Sequence, residues 1–114
     1  MAQACSFCEI GNQIPGNTVL YRDDHAFVIR DINPQAPVHL LVIPYQHFTY
    51  LTYMVGGNET MVGHLVFVAE EMAKREGIGD QGYRIVINQG NNAGQNVAHL
   101  HAHVLGGREL GAMG

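Results

Sequence analysis

The segment His-Leu-His-Ala-His at positions 99–103 sets three imidazoles at every second residue, and it holds three of the seven histidines in the chain. Alternate residues of a strand share a face. His99, His101 and His103 are therefore expected to project together, with Leu100, Ala102 and Val104 turned to the other side. A single metal ion cannot bridge such a row. Same-side residues lie about 6.6 Å apart along a strand, so the outer pair is roughly 13 Å apart, whereas zinc binds nitrogen at about 2.0–2.1 Å. The alternative is catalysis. An imidazole becomes a nucleophile when one neighbour holds its tautomer and other groups stabilise charge on the substrate. The Gly/Asn-rich stretch just before it, residues 89–96, has backbone N–H groups to offer an anion. Imidazole–phosphorus adducts hydrolyse readily, so the chemistry indicated is attack on phosphorus.

These histidines need a scaffold, and the flanking sequence describes one. Residues 18–23 and 25–31 are rich in strand formers and flank Asp23-Asp24, which predicts a hairpin. Residues 33–37 carry Pro34 and Pro37 and read as a loop. Residues 38–44 are almost continuously apolar, as in a central strand buried on both faces. From Asn58 the period changes: Met61, Leu65, Val68/Ala69 and Met72 recur at helical spacing. Asn58 is the expected cap, with Glu59 in the first turn. Glu70–Lys74 and Glu71–Arg75 are expected i,i+4 pairs, and Gly77 is the stop signal. Residues 82–90 and 97–107 read as two further strands. The whole is an α+β sandwich, an antiparallel sheet with a helix on one face. His25 and His64 are assigned to surface and helix positions without a functional role.

The chain has 114 residues, enough for one domain spanning residues 1–114 and not for two cores. Hydrophobic residues make up 46% and charged residues 14%, with a formal net charge of −4. The six basic residues are scattered, which argues against a nucleic-acid surface but leaves room for one bound phosphate. No secretory signal or membrane-length apolar run is present, so no membrane is expected and a cytoplasmic location is. There, Cys5 and Cys8 are thiols rather than a structural disulfide. Metal ligation, free thiols and a redox pair all remain open, although a redox C-x-x-C normally opens a helix in a βαβ unit, which the pattern lacks.

Gly94-Gln95-Asn96-Val97-Ala98-His99-Leu100-His101-Ala102-His103-Val104-Leu105, with the trailing Gly106-Gly107-Arg108, resembles the signature of the histidine triad (HIT) superfamily, and of its Hint-like branch. The segments from Asp31 to His39, Leu41 to Pro44 and Gly82 to Asn88 agree with it, so the likeness runs over residues 5–108. It implies a HIT-like fold: a five-stranded antiparallel sheet with a long helix and a short one packed on it, and a homodimer forming a ten-stranded sheet. It implies a purine nucleoside phosphoramidase that cleaves the P–N bond of AMP or GMP phosphoramidates through a nucleotidyl-histidine intermediate. On that basis His101 is the nucleophile and His103 contacts the phosphate and assists the leaving group. His99 and His39 belong to the supporting hydrogen-bond chain. Asp31 and Ile32 take the ribose and base, and Asn88, Gln95 and Asn96 the phosphate, alongside His101 and His103.

The resemblance extends to a zinc-binding subset of the family, with Cys5, Cys8, His47 and His99 as ligands. Four protein ligands leave no open position, so that zinc would be structural. No catalytic metal or organic cofactor is expected. The third triad position is His103, where nucleotide-transferring relatives carry Gln, and this favours water as the final acceptor. Asn96 stands where Ser is common, and the tail Glu-Leu-Gly-Ala-Met-Gly lacks the aromatic terminus of animal relatives. Both departures bear on the leaving group. The rival readings are a dinucleoside polyphosphate hydrolase of the Fhit type and a nucleotide-binding regulatory or scaffold protein.

Overall fold

The computed structural model describes residues 5–12, 19–53 and 58–114. Seven regular elements carry the architecture: α1 (Ser6–Asn12), β1 (Tyr21–Arg22), β2 (Ala26–Arg30), β3 (Val38–Pro44), α2 (Glu59–Arg75), β4 (Tyr83–Val86) and β5 (Ala102–Gly106). The strands form one sheet in the order β1-β2-β3-β5-β4, and every neighbouring pair is antiparallel. The expected α+β architecture, with a long helix and a short one on the sheet, is what folds.

β3 has the bounds that its apolar run predicts, and six of its seven residues are buried. It lies in the middle of the sheet, which explains why its sequence does not alternate. One face carries Ala26, Val28, Leu40, Val42, Ala102 and Val104 against Leu65, Val68, Ala69, Met72 and Ala73 of α2. The other carries Phe27, Ile29, Leu41 and Ile43, capped by Phe7 from α1. The helical spacing from Leu65 to Met72 thus marks the buried stripe of α2. Leu100 joins that core from just before β5.

Several expectations need correction. β1 is only two residues long, and the last strand starts at Ala102 rather than Val97. His99 and His101 precede β5 in a bent segment, where the Leu100 N–H bonds to the Phe48 carbonyl instead of a sheet neighbour. β4 covers 83–86, the middle of the predicted 82–90. Asn58 caps α2 without a side-chain hydrogen bond. Glu70–Lys74 pairs at 2.9 Å, but Glu71 also turns to Lys74, and Arg75 instead lies over the Tyr21 ring. Gly77, at φ +78°, follows the C-terminal cap of α2 as expected. The C-x-x-C pair does sit at the start of a helix, α1, but among antiparallel strands, so no βαβ unit surrounds it.

His64 is more than a helix-surface residue. Its Nε2 lies 2.6 Å from Asp23 Oδ2, which also accepts from the Tyr21 hydroxyl, while Asp23 Oδ1 accepts the N–H groups of His25 and Ala26. The cluster ties the first hairpin to α2. Among the described residues, no helix is long and apolar enough to cross a membrane.

Candidate active site and metal-binding cluster

The sheet register assembles the site. His39 pairs with Leu105 and Leu41 with His103, so His39 and His103 are diagonal neighbours on the α1 face. Their rings meet directly, Nε2 of His39 to Nδ1 of His103 at 2.8 Å. The His101 ring lies 5.0 Å from that of His103, and Phe7 stands edge-on to both His99 and His101. The triad histidines do share the face opposite Leu100, Ala102 and Val104, as alternation predicts.

Backbone groups fix three imidazole tautomers, because a carbonyl can only accept and an amide N–H can only donate. The His99 carbonyl accepts at 2.7 Å from His101 Nδ1, which must carry a proton, so Nε2 is the nitrogen with the lone pair in the neutral ring. The Gln35 N–H donates at 3.0 Å to His39 Nδ1, so the His39 proton is on Nε2. That Nε2–H then donates to His103 Nδ1, which puts the His103 proton on its own Nε2. The Pro44 carbonyl takes the Nε2–H of His99 at 2.8 Å and leaves its Nδ1 as a donor atom for a metal.

Burial favours the neutral forms of His39, His99 and His103. It lowers the His103 pKa to about 4, with the neighbouring His101 and His39 pushing the same way and Asp31 opposing. It lowers His39 as well, again against the pull of Asp31, whose Oδ2 is 3.3 Å from His39 Nε2. His103 therefore presents a neutral N–H donor at physiological pH.

A cavity of about 270 Å³ opens beside these rings. His101 and His103 line it together with Asp31, Ile32 and Asn33 from the β2–β3 loop, and Asn96 and Val97 from the loop before the triad. Ile32 is 92% exposed, an apolar side chain open to solvent. Asp31 also closes an Asx turn, its Oδ1 accepting the Asn33 N–H. Ile29 and Arg30 of β2 and Leu41 of β3 form the floor of the cavity, and Ser6, Phe7 and Ile10 of α1 form a further wall, which the sequence reading did not include. Their signal was the C-x-x-C pair that anchors them.

Asn88 and Gln95 are not among the cavity's lining residues. Gln95 instead braces the loop, its Oε1 accepting the Gly90 N–H and its Nε2 donating to the Thr49 carbonyl. The N–H groups of Gly90, Ala93, Gly94 and Gln95 all bond within residues 90–95. The anion cradle expected from those N–H groups is thus not formed by these four.

A second cluster sits behind the first. Cys5 and Cys8 Sγ lie 3.4 and 3.5 Å from His99 Nδ1, and Cys8 Sγ lies 3.2 Å from His47 Nδ1. All four ligand atoms fall within 4.8 Å of one another. A tetrahedral zinc with bonds of about 2.3 Å to sulfur and 2.0–2.1 Å to nitrogen separates S from N by about 3.5 Å. The cluster fits that ion. Burial and the neighbouring Cys5 push the Cys8 thiol pKa up, a cost that a bound cation would relieve.

The HIT domain family model matches residues 12–110. The chain belongs to the HIT family. It is 38% identical over 113 residues to the purine nucleoside phosphoramidase of Escherichia coli (strain K12), covering 99% of this chain and 95% of that one. The structure of a histidine triad protein from Clostridium difficile superposes with a TM-score of 0.90 at 37% identity, with both chains fully covered. A zinc-bound HIT protein from Mycobacterium smegmatis gives a TM-score of 0.77 at 35% identity, over 92% of this chain and 76% of that one. The matched span includes the His-Leu-His-Ala-His segment at residues 99–103.

Proposed function

We propose that this HIT protein is a nucleotide hydrolase, a purine nucleoside phosphoramidase that acts on AMP or GMP conjugates through a nucleotidyl-histidine intermediate. The observation that carries the reading is His101. Its Nδ1–H is pinned to the His99 carbonyl, which assigns the lone pair of the neutral ring to Nε2, and it lines the cavity. The 38% identity to a phosphoramidase supports the choice of reaction.

In this reading His101 Nε2 attacks phosphorus as the P–N bond of the substrate breaks. The amine leaves with the bonding electron pair and takes a proton from solvent. Water then attacks phosphorus and breaks the bond to Nε2, releasing the nucleoside monophosphate and returning a proton to solvent. His103 stays neutral and donates its Nε2–H to the phosphoryl oxygen or the leaving nitrogen, a preorganised dipole aimed at developing charge. His39 holds His103 in that tautomer. Asp31 and Ile32 take the nucleoside, and Asn96 lies on the phosphate side, with Asn88 and Gln95 supporting the loop around it.

Cys5, Cys8, His47 and His99 would hold a structural zinc. It would cross-link α1, the wall of the cavity, to the segment bearing His101. The protein is expected to be a single-domain cytoplasmic homodimer without a nucleic-acid or membrane partner. β4 is a sheet edge, consistent with pairing to a second copy into a ten-stranded sheet.

The test is hydrolysis of an adenosine phosphoramidate beside a diadenosine polyphosphate, with wild type and His101→Ala. The expected outcome is rapid phosphoramidate turnover, reduced by several orders of magnitude in the variant while AMP still binds. Faster polyphosphate cleavage would assign the Fhit-type reaction. Silence on both substrates, with AMP still bound, would leave the regulatory or scaffold role. A variant keeping more than about a tenth of the activity would remove His101 as nucleophile.

A further inference from the structure

The Gly106-Gly107-Arg108 segment after the triad lies outside the cavity, yet it reaches the site through a chain of bonds. Gly106 ends β5, where a Cβ would lie 2.7 Å from Ile78 Cδ1. Gly107 has φ +94°, and a Cβ there would lie 2.9 Å from Pro37 Cβ. The absence of side chains lets the chain turn tightly against the β2–β3 loop. Arg108 follows and donates from Nη2 to the Gln35 carbonyl at 2.8 Å and from Nη1 to the Glu109 carbonyl at 2.8 Å.

Gln35 is the residue whose N–H donates to His39 Nδ1. We propose that Arg108 is a positioning residue: by holding Gln35 it fixes the tautomer of His39, and through His39 that of His103. The order is Arg108 guanidinium to Gln35 carbonyl, Gln35 N–H to His39 Nδ1, His39 Nε2–H to His103 Nδ1, and His103 Nε2–H to the substrate. Only the first member is charged, and its charge is permanent. If Gln35 swings away, only the longer contact of Nε2 with Asp31 Oδ2 at 3.3 Å still favours the Nε2–H form of His39, and the Nδ1–H form gains population. His103 then donates from its own Nδ1–H to the His39 Nε2 lone pair, and its Nε2 turns a lone pair, instead of a donor, toward the phosphoryl group. A repelled anion replaces a bound one. The catalytic consequence rests on the phosphoramidase reading above, whereas the tautomer consequence does not.

The experiment pairs histidine side-chain ¹H–¹⁵N long-range spectra with steady-state kinetics on an adenosine phosphoramidate, using wild type, Arg108→Ala and Gln35→Pro. Arg108 is exposed, so its truncation leaves the core intact. In wild type His39 and His103 should each appear as the Nε2–H form and His101 as the Nδ1–H form. In Arg108→Ala the His39 and His103 signals should shift toward a mixture of tautomers while His101 stays fixed. kcat should fall roughly tenfold with KM changed less than about threefold, since a full donor loss costs about 10²–10³. Gln35→Pro, which deletes the N–H, should shift the tautomers further. Unchanged His39 tautomers in Arg108→Ala would overturn the inference, as would a rise in KM at constant kcat. Shifted tautomers in a protein that hydrolyses no phosphoramidate would sustain the inference and defeat the phosphoramidase reading instead.

Discussion

A neutral imidazole has two different edges, and the chemistry of this site depends on which edge faces the cavity. Three backbone groups make that choice: the carbonyls of Pro44 and His99 and the N–H of Gln35. Each is held by the fold, so the tautomers are set before any ligand arrives. The array must also stay uncharged, because a protonated His39 has no lone pair left for Gln35. This has a consequence for stability. Burial lowers the His103 pKa from 6.5 to about 4, and His39 moves in the same direction. Between those values the unfolded chain binds more protons than the folded one, so this stabilisation is complete above about pH 6.5 and is lost as pH falls through 4. Asp23 acts in a lower window. Its burial raises the pKa, but the N–H groups of His25 and Ala26, with Tyr21 and His64, outweigh that and bring it to about 2. The Asp23 contribution is therefore present above about pH 3.8 and is lost toward 2. Thermal melting from pH 8 to 3 should show midpoints falling below pH 6.5, with a shallower fall in His103→Gln. Equal slopes in the two proteins would exclude His103 as a source of the pH dependence.

At the scale of elements, β3, β5 and the β2–β3 loop do most of the positioning. The apolar run of β3 and the helical spacing of α2 were legible in the sequence because each depends on burial along its own length. The alternation of His101 and His103 against Ala102 and Val104 was legible for the same reason. Strand ends were not. β5 begins only at Ala102 because Leu100 bonds to Phe48, a contact between segments far apart in the chain. The Gly-Gly-Arg segment was legible as a family mark but not as a device, since its partner Gln35 lies 73 residues away. Its glycines can be tested directly. Gly107→Ala places a methyl against Pro37 at a φ that side chains rarely adopt. We expect a loss of about 1–3 kcal/mol in urea unfolding, with the tautomer mixing described for Arg108→Ala. A neutral substitution would mean that the loop yields easily and that Gly107 does not brace it.

At the scale of the molecule, the two clusters are parts of one construction. His99 presents its ring to the cysteines and its carbonyl to His101, so whatever fixes His99 also fixes the nucleophile candidate. α1 carries Cys8 on one side and Phe7, against His99 and His101, on the other. Its seven residues are too few to hold a helix alone. The side chains that cover the cavity thus depend on what anchors Cys5 and Cys8. A zinc at that cluster would bind the folded state preferentially and stabilise it by mass action, by about 4 kcal/mol at a thousandfold excess over Kd. Chelation should therefore lower the melting midpoint by several degrees, release about one zinc per chain and weaken AMP binding, while α2 and the sheet retain their secondary structure. Cys8→Ser should behave like the chelated protein and respond little to added zinc. If chelation leaves both the melting midpoint and AMP affinity unchanged, Cys5 and Cys8 are simple thiols, and Phe7 alone must keep α1 in place.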